Sequence, residues 1–358
     1  MTDIPPPGIP ARADAGGSFS LPLCAALAAA LRQALTALPE RPRRIAVAFS
    51  GGADSAMLAV HAAAVAPALG IEVLLFHVHH GLQAQADAWA RHGQDLAARL
   101  ALPLYEARVQ VAPAAGKGIE AAARDARYAA LTQLSRQHSV RHILLAHHRN
   151  DQAETVLLRL LRGTGLAGMA AMAPVAQRDG VTYLRPWLER DRSEILRAAN
   201  DVEAAIGWRA VQDPTNADPR YTRAALRELL APVLDARWPG WRAIVARHAR
   251  HMAEAAEILD EVAAEDFARL DPSPDEVSFS LQAWRGLSPA RQAHVLRYWL
   301  ARNGARMPTD ARMADLLRQL RGLHSLGHDR QLRVEQAGHV VRCHRGRVWI
   351  EARENAGS

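Results

Sequence analysis

Ile45-Ala46-Val47-Ala48-Phe49-Ser50-Gly51-Gly52-Ala53-Asp54-Ser55 is an apolar run that stops abruptly on a serine, two glycines and a carboxylate. A short, wholly apolar run bounded by glycine reads as a strand buried on both faces. The next stretch, Asp54–Leu69, reads as a helix. A buried strand that turns through two glycines straight into a helix opens a βαβ unit, and that unit decides the fold.

The alternation continues outward. Ile71–Val78, Leu104–Val109 and His142–His147 read as strands, and Ala84–Leu100, Ile119–His138 and Asp151–Arg162 as the helices between them. Strands rich in Val, Ile and Leu between helices predict an α/β fold with a doubly wound parallel sheet. Ligands in such sheets bind at the carboxyl ends of strands, at the switch point. That rule gathers four loops: Ser50–Ser55, His77–Leu82, Val111–Gly118 and His147–Asp151. Upstream, Leu21–Leu38 reads as a surface helix packed on the first strand. It carries Arg32 and Gln33 and is too polar to span a bilayer.

Downstream, a glycine-rich stretch follows Gly163, then Tyr183–Pro186 and a helix from about Asp191. Thr222–Arg237 reads as helical, and Trp241–Leu270 as a long connector broken at Asp271-Pro-Ser-Pro274. A short strand is expected at Val277–Ser280. One helix follows the Ser288-Pro289 cap, and another follows Pro308-Thr309 with Met313, Leu316, Leu317 and Leu320 inward. Strands at Gln331–Glu335, His339–Cys343 and Val348–Glu351 complete a smaller α+β domain. The expected division is a disordered tail over residues 1–19, a nucleotide domain over 20–240, a helical connector over 241–272 and a C-terminal domain over 273–358.

The loop Ser50-Gly51-Gly52-Ala53-Asp54-Ser55 has the chemistry of a phosphate site. Its glycines let successive N–H groups point at one anion, and the helix N-terminus adds partial positive charge. Ser50 and Ser55 bring hydroxyl donors. Asp54 repels phosphate unless a cation intervenes, so it either marks a Mg²⁺ site or caps the helix. The loop lacks the Gly-Lys-Ser/Thr ending of a Walker-A loop.

The formal charge is +7, and Lys117 is the only lysine, so the positive charge is nearly all arginine. Arginine forks well onto phosphate, and a basic chain of this size points to a nucleic-acid partner as readily as to simple solubility. The two cysteines, Cys24 and Cys343, form no CxxC pair and no metal-ligand set, which fits a reducing cytoplasm. No membrane association is expected, and the sequence leaves the oligomeric state open, a homodimer included.

The SGGxDS string resembles the signature of the PP-loop, or N-type ATP pyrophosphatase, family. That resemblance implies an adenine nucleotide alpha-hydrolase-like fold and cleavage of ATP between its α- and β-phosphates. Further segments narrow it: His77-Val-His-His-Gly-Leu82, Glu120 with Arg124, Arg127 and Tyr128, His147-His148-Arg-Asn-Asp151-Gln-Ala-Glu154-Thr155, Arg162-Gly-Thr-Gly165, Arg185-Pro186 and Asp213-Pro-Thr-Asn216. In this order they resemble the tRNA-isoleucine lysidine synthetases, closely over Ile45 to Leu234 and more weakly over Phe279 to Ile350.

The resemblance implies that ATP, with Mg²⁺, adenylates the wobble cytidine of an isoleucine tRNA with a CAU anticodon. Free lysine then displaces AMP. It implies an ATP site at Ser50, Gly51, Gly52, Ala53, Asp54 and Ser55. It also implies a lysine pocket at Arg127, Asp151 and Glu154, and Asp54 and Asp151 among the catalytic residues.

The residues speak partly for themselves. Asp151 and Glu154, three apart at a helix start, share a face that can grip a cationic amino acid; both also suit the helix dipole. A lysine amine must lose a proton before it attacks, and His147 and His148 are the nearest candidate bases. Arg242, Arg247 and Arg250 on the connector, and Arg345 and Arg347 on the last hairpin, are assigned to tRNA phosphates, with a solvated basic face as the alternative reading.

Two departures from the family stand out. Asn150 replaces a frequent Asp and leaves any metal role there in doubt, and Ala224 replaces a usual Asn. The second C-terminal domain of longer relatives is not expected here. Rival readings are another PP-loop ligase or tRNA thiolase, whose typical cysteines are badly placed here, and a non-catalytic RNA binder on a dead nucleotide fold.

Overall fold

The structure is a computed structural model that describes residues 21–79, 86–110, 119–212, 218–323, 331–336 and 338–352. The tail, the end of the His77–Leu82 loop, all of Val111–Gly118 and Asp213-Pro-Thr-Asn216 lie outside the described residues. The chain divides into two compact units. One spans residues 1–163 and 171–247, and the other 164–170 and 248–358.

In the first unit, α1 (Ala25–Thr36) leads into β1 (Arg44–Ala48), α2 (Ala53–Val65), β2 (Glu72–His79), α3 (Ala86–Arg99), β3 (Leu104–Arg108), α4 (Ile119–Gln137), β4 (His142–Leu144) and α5 (Arg149–Leu160). After α6 (Leu166–Met169), which belongs to the other unit, come β5 (Val175–Arg178), β6 (Val181–Leu184) and α7 (Arg192–Ile206). α8 (Thr222–Ala225), a π-helical turn (Leu226–Leu230) and α9 (Ala231–Arg237) follow. The six-stranded sheet has the order β3-β2-β1-β4-β6-β5. Strands β3, β2, β1, β4 and β6 are parallel, and β5 is an antiparallel edge.

The chain runs outward from β1 to β3, then returns to lay β4 on the other side of β1. The switch point therefore lies between β1 and β4, so the loops after these strands face each other. Alternation along β1 buries both faces: Ile45 and Val47 join one core with α1, α2 and α7, while Ala46 and Ala48 join another with Tyr128, Leu131 and Leu134 of α4. α2 is buried from Ser55 through Ala62, because helices cover it on its outer side. One of them is α1, which packs extensively on α2 and shares its core with Ile45 and Val47 of β1. Trp187 Nε1 donates to Leu27 O at 3.0 Å and fixes it there.

The second unit holds most of α10 (Trp241–Ala268), then β7 (Ser278–Ser280), α11 (Leu281–Arg285), α12 (Pro289–Arg302), α13 (Asp310–Gly322), β8 (Leu332–Gln336), β9 (His339–His344) and β10 (Arg347–Ala352). Its antiparallel sheet has the order β7-β10-β9-β8 and encloses Phe279, Trp284, Trp299, Leu316 and Val341. Ser288 occupies the N-cap position of α12, as its sequence context predicted, and Thr309 that of α13.

A candidate nucleotide and amino-acid site at the switch point

The phosphate loop is held open from within. Gly51 has φ +84°, a left-handed conformation that a β-carbon resists, and its carbonyl accepts Val211 N at 3.0 Å. Ser55 Oγ accepts Ser50 N at 3.0 Å and donates to Gly52 O at 3.1 Å. The buried Ser55 hydroxyl therefore staples the loop, whereas Ser50 is exposed.

Gly52 is the N-cap of α2 and makes no side-chain cap, so Asp54 sits in the first turn without capping it. Its Oδ1 lies 3.6 Å from His148 Nε2 and 3.5 Å from Arg192 Nε, and has no hydrogen-bond partner. Burial raises the Asp54 pKa, but His148 and Arg192 outweigh it and hold the carboxyl below its ordinary range. A buried, ionised oxygen without a hydrogen bond fits a hard cation, and Mg²⁺ is usually bound by one or two carboxylates together with substrate phosphates. No cluster of three or more His, Cys, Asp or Glu side chains forms a protein-only metal cage among the described residues.

α5 begins at Arg149, two residues earlier than the sequence pattern predicted, because His148 caps it. His148 Nδ1 accepts Asp151 N at 3.3 Å, and His148 N donates to Asp151 Oδ2 at 3.1 Å. The same ring places Nε2 3.4 Å from Asp151 Oδ2, so His148 joins Asp54 of one loop to Asp151 of the other. Asn150 is turned away from this junction, and its Oδ1 accepts Arg192 N at the start of α7 at 3.4 Å.

The face shared by Asp151 and Glu154 is already in contact with a cation. Arg227, from the π-helical turn, forks onto Glu154 with Nε–Oε1 at 2.6 Å and Nη2–Oε2 at 2.8 Å, and reaches Asp151 Oδ1 at 3.4 Å. Burial lowers the Arg227 pKa, but Glu154, Asp151 and Asp54 outweigh it and raise it. Both carboxylates are buried. Nothing in the sequence singles out Arg227 or Arg192 beyond their charge on otherwise ordinary helices. Ala224 is buried, so an apolar side chain suits the position where the family usually has Asn.

His147 faces different company. Arg185 Nε donates to its Nδ1 at 3.3 Å. Burial, then Arg185, Arg127, Arg124 and Arg223, hold its pKa well below the ordinary value. A neutral ring whose Nδ1 lone pair is engaged carries its proton on Nε2. In this geometry the Nδ1 of His147 is engaged and its Nε2–H is left as a donor. Arg127 lies on this basic side, and no described contact joins it to Asp151 or Glu154. Among the described residues, His77 Nδ1 pairs with Phe49 O at 2.9 Å. Neither cysteine belongs to the site: Cys24 N bonds His61 Nε2 at 3.1 Å, and Cys343 is in the core of the second unit.

The five assigned tRNA contacts divide. Arg242 is tied to Asp235 and stacked 4.6 Å over Trp241, and Arg347 Nη1 pairs with Asp271 at 2.6 Å. Arg250 lies 3.9 Å from Glu254, and Arg247 and Arg345 are exposed.

A parallel sheet with an SGGxDS loop at its switch point, a carboxylate in that loop and an acidic pair opposite define a PP-loop protein that uses ATP. The PP-loop domain family matches residues 25–234, and a second family, described as the TilS substrate binding domain, matches residues 279–349. A tRNA(Ile)-lysidine synthase from Bordetella parapertussis is 68% identical over 92% of this chain and 96% of its own length. One from Bordetella pertussis is 69% identical over 89% of this chain and 99% of its own. The chain belongs to the tRNA(Ile)-lysidine synthase family. Among solved structures, a U34-tRNA thiolase from Methanococcus maripaludis shares the fold, with a TM-score of 0.53 and 14% identity over 64% of this chain and 79% of that one.

Proposed function

We propose that this protein joins free lysine to the wobble cytidine of an isoleucine tRNA with a CAU anticodon. ATP first adenylates the 2-oxo group of the base, releasing pyrophosphate, and a lysine amine then displaces AMP. The modified base pairs with A in place of G. The observation that carries this reading is the shared histidine: the phosphate loop and the acidic pair are linked through His148, so a nucleotide phosphate and a cationic amino acid would meet across one ring.

In this reading Ser50 and the backbone of Gly51, Gly52 and Ala53 cradle ATP phosphates. Asp54 would hold Mg²⁺, and the ion would supply charge neutralisation of the phosphates. Arg192, 3.5 Å from Asp54, stands ready as a second positive charge there. Asp151 and Glu154 take a lysine ammonium in competition with the Arg227 guanidinium. Two carboxylates stabilise the protonated form of an amine they hold, so this pocket suits the amine that does not react. Arg127 is the lysine-pocket residue that the family resemblance implies. Arg247, Arg250 and Arg345 remain candidates for tRNA phosphates, with Arg242 and Arg347 already engaged within the protein.

No helix among the described residues is long and apolar enough to cross a membrane, and we place the reaction in the cytoplasm. The test is mass analysis of the wobble nucleoside after incubation with tRNA, ATP and lysine. Lysidine formed with one AMP and one pyrophosphate is expected; unmodified cytidine beside a wild-type enzyme that binds all three substrates would sink the reading.

A further inference from the structure

The arginines around the start of α7 are engaged unequally. Arg190 forks onto Glu194 at 2.8 and 2.9 Å, and Arg149 donates to Asp191 Oδ2 at 2.7 Å. Arg192 is different. Its backbone N donates to Asn150 Oδ1 at 3.4 Å, which holds it at the start of α7 beside the start of α5. Its Nε is buried, lies 3.5 Å from Asp54 Oδ1 and makes no hydrogen bond. The side chain as a whole is 40% exposed, and neither Nη group has a hydrogen bond among the described residues. A buried cationic stem thus stands against the phosphate loop with an unused fork.

An ion pair with Asp54 does not account for this geometry. A guanidinium committed to one carboxylate takes two parallel hydrogen bonds, as Arg227 does with Glu154. Arg192 stops short of that. Asp54 Oδ1 is also shared with His148 Nε2 at 3.6 Å. A divalent ion on the same oxygen would leave a single carboxylate facing both the ion and the guanidinium, and further anionic oxygens would be needed to balance them. The phosphates of a bound nucleotide supply such oxygens, and the arginine fork matches them. The two neighbours of Asp54 indicate which phosphate. His148 also reaches Asp151, so its side belongs with the phosphate that stays on the base while lysine reacts. Arg192 has no contact with Asp151 or Glu154 among the described residues, so its side belongs with the phosphates that leave.

We propose that Arg192 is a catalytic residue whose free fork holds the β- and γ-phosphates of ATP and stabilises pyrophosphate as it departs. The proposal rests on the reading of ATP cleavage given above and assigns a residue to its leaving group. In that step the 2-oxo oxygen of the base bonds to the α-phosphorus while the bond from that phosphorus to the bridging oxygen breaks. The electron pair stays on the bridging oxygen, and Arg192 offsets the charge that grows there. Asn150 acts through Arg192, by fixing where its backbone starts α7.

The test uses full-length Arg192→Gln, with Arg192→Lys keeping the charge without the fork. Binding of pyrophosphate and of AMP, each with Mg²⁺, is measured by calorimetry on the enzyme free of tRNA and lysine. Arg192→Gln should bind pyrophosphate about ten-fold more weakly and AMP within about two-fold of wild type, and Arg192→Lys should bind pyrophosphate about three-fold more weakly. Single-turnover release of pyrophosphate from ATP in the presence of tRNA should fall on the order of 10²-fold in Arg192→Gln, with tRNA affinity unchanged. The binding arm involves neither lysine nor tRNA, so its result stands apart from whether lysidine is the product. Arg192→Lys keeps a cation beside Asp54, so that arm remains readable if Arg192→Gln folds poorly. Equal loss of AMP and pyrophosphate would assign Arg192 to the α-phosphate. Weaker tRNA binding at unchanged pyrophosphate affinity would assign it to the RNA backbone. Either result overturns the proposal, as does wild-type pyrophosphate binding in both variants, which would leave Arg192 as the ion-pair partner of Asp54 alone.

Discussion

His147 and His148 are neighbours in sequence with opposite surroundings, and the difference is electrostatic. His148 lies against Asp54 and Asp151, and His147 against Arg185. The oxygen of Asp54 that has no hydrogen bond makes the sharpest single-residue prediction. Asp54→Asn keeps the size and removes the charge, so pyrophosphate release should fall on the order of 10²–10³-fold, with tRNA binding unchanged in a gel-shift assay. Pyrophosphate release at the wild-type rate would remove Asp54 from the chemistry.

The lowered pKa values of His61, His77 and His147 share one first cause, burial, and give a second prediction. All three rings are neutral in both folded and unfolded chains above pH about 6.5. As pH falls through that value the unfolded chain takes up protons that the folded chain refuses, so stability decreases. The melting temperature should drop between pH 7 and pH 5.5, and less steeply in His147→Gln. Asp54 acts in a different window, because its folded pKa is depressed: its contribution is complete above the unfolded carboxyl range and is lost only in stronger acid.

At the scale of elements, the π-helical turn Leu226–Leu230 deserves an experiment because it delivers Arg227 to the acidic pair. π-turns often mark functional sites. Arg227→Gln would leave two buried carboxylates without their cation and should cost about 2 kcal/mol or more. If that pair is also where lysine binds, millimolar lysine should raise the melting temperature of Arg227→Gln more than that of wild type. Equal shifts would separate the lysine site from the Arg227 ion pair. Glu154→Gln, in turn, should raise the KM for lysine at least ten-fold and leave the KM for ATP unchanged, a loss of the size expected for one partner of a charge-assisted bond.

These elements also mark how far the sequence could be read. β1, its loop and α2 were legible because burial on both faces leaves an unbroken apolar run, and the glycines leave a visible stop. β5 was not, because its residues are mostly exposed and carry no alternation. The signal available was the turn: Asp179 and Gly180 both have positive φ, 52° and 79°, as a two-residue hairpin demands. The pairing of Asp151 with Glu154 followed from helical spacing alone, but their cation comes from a residue 73 positions away in Glu154's case, and no local pattern encodes that. The tautomer of His147 was equally hidden, since it depends on an arginine 38 residues downstream.

At the scale of the whole molecule, a formal charge of +7 says that polyanions are attracted but not which arginines meet them. The final hairpin separates two that look equivalent in sequence. Arg345 and Gly346 form its two-residue turn, with φ of 48° and 78°, and the Arg345 side chain is exposed. Arg347, two residues on, donates to Asp271 Oδ2 at 2.6 Å, Asp271 O at 2.9 Å and Ser278 Oγ at 3.1 Å, tying β10 to the chain before β7. The first is exposed, and the second holds the domain. Arg345→Gln should therefore weaken tRNA binding and lower its salt slope by about one while leaving the melting temperature unchanged. Arg347→Gln should cost up to about 1 kcal/mol of stability, the range of a partly exposed ion pair, with the salt slope of tRNA binding preserved. The two measurements, thermal melting and salt-dependent binding, are independent. If Arg345→Gln melted early, or Arg347→Gln flattened the salt slope without melting early, the division between contact and scaffold at this hairpin would be wrong.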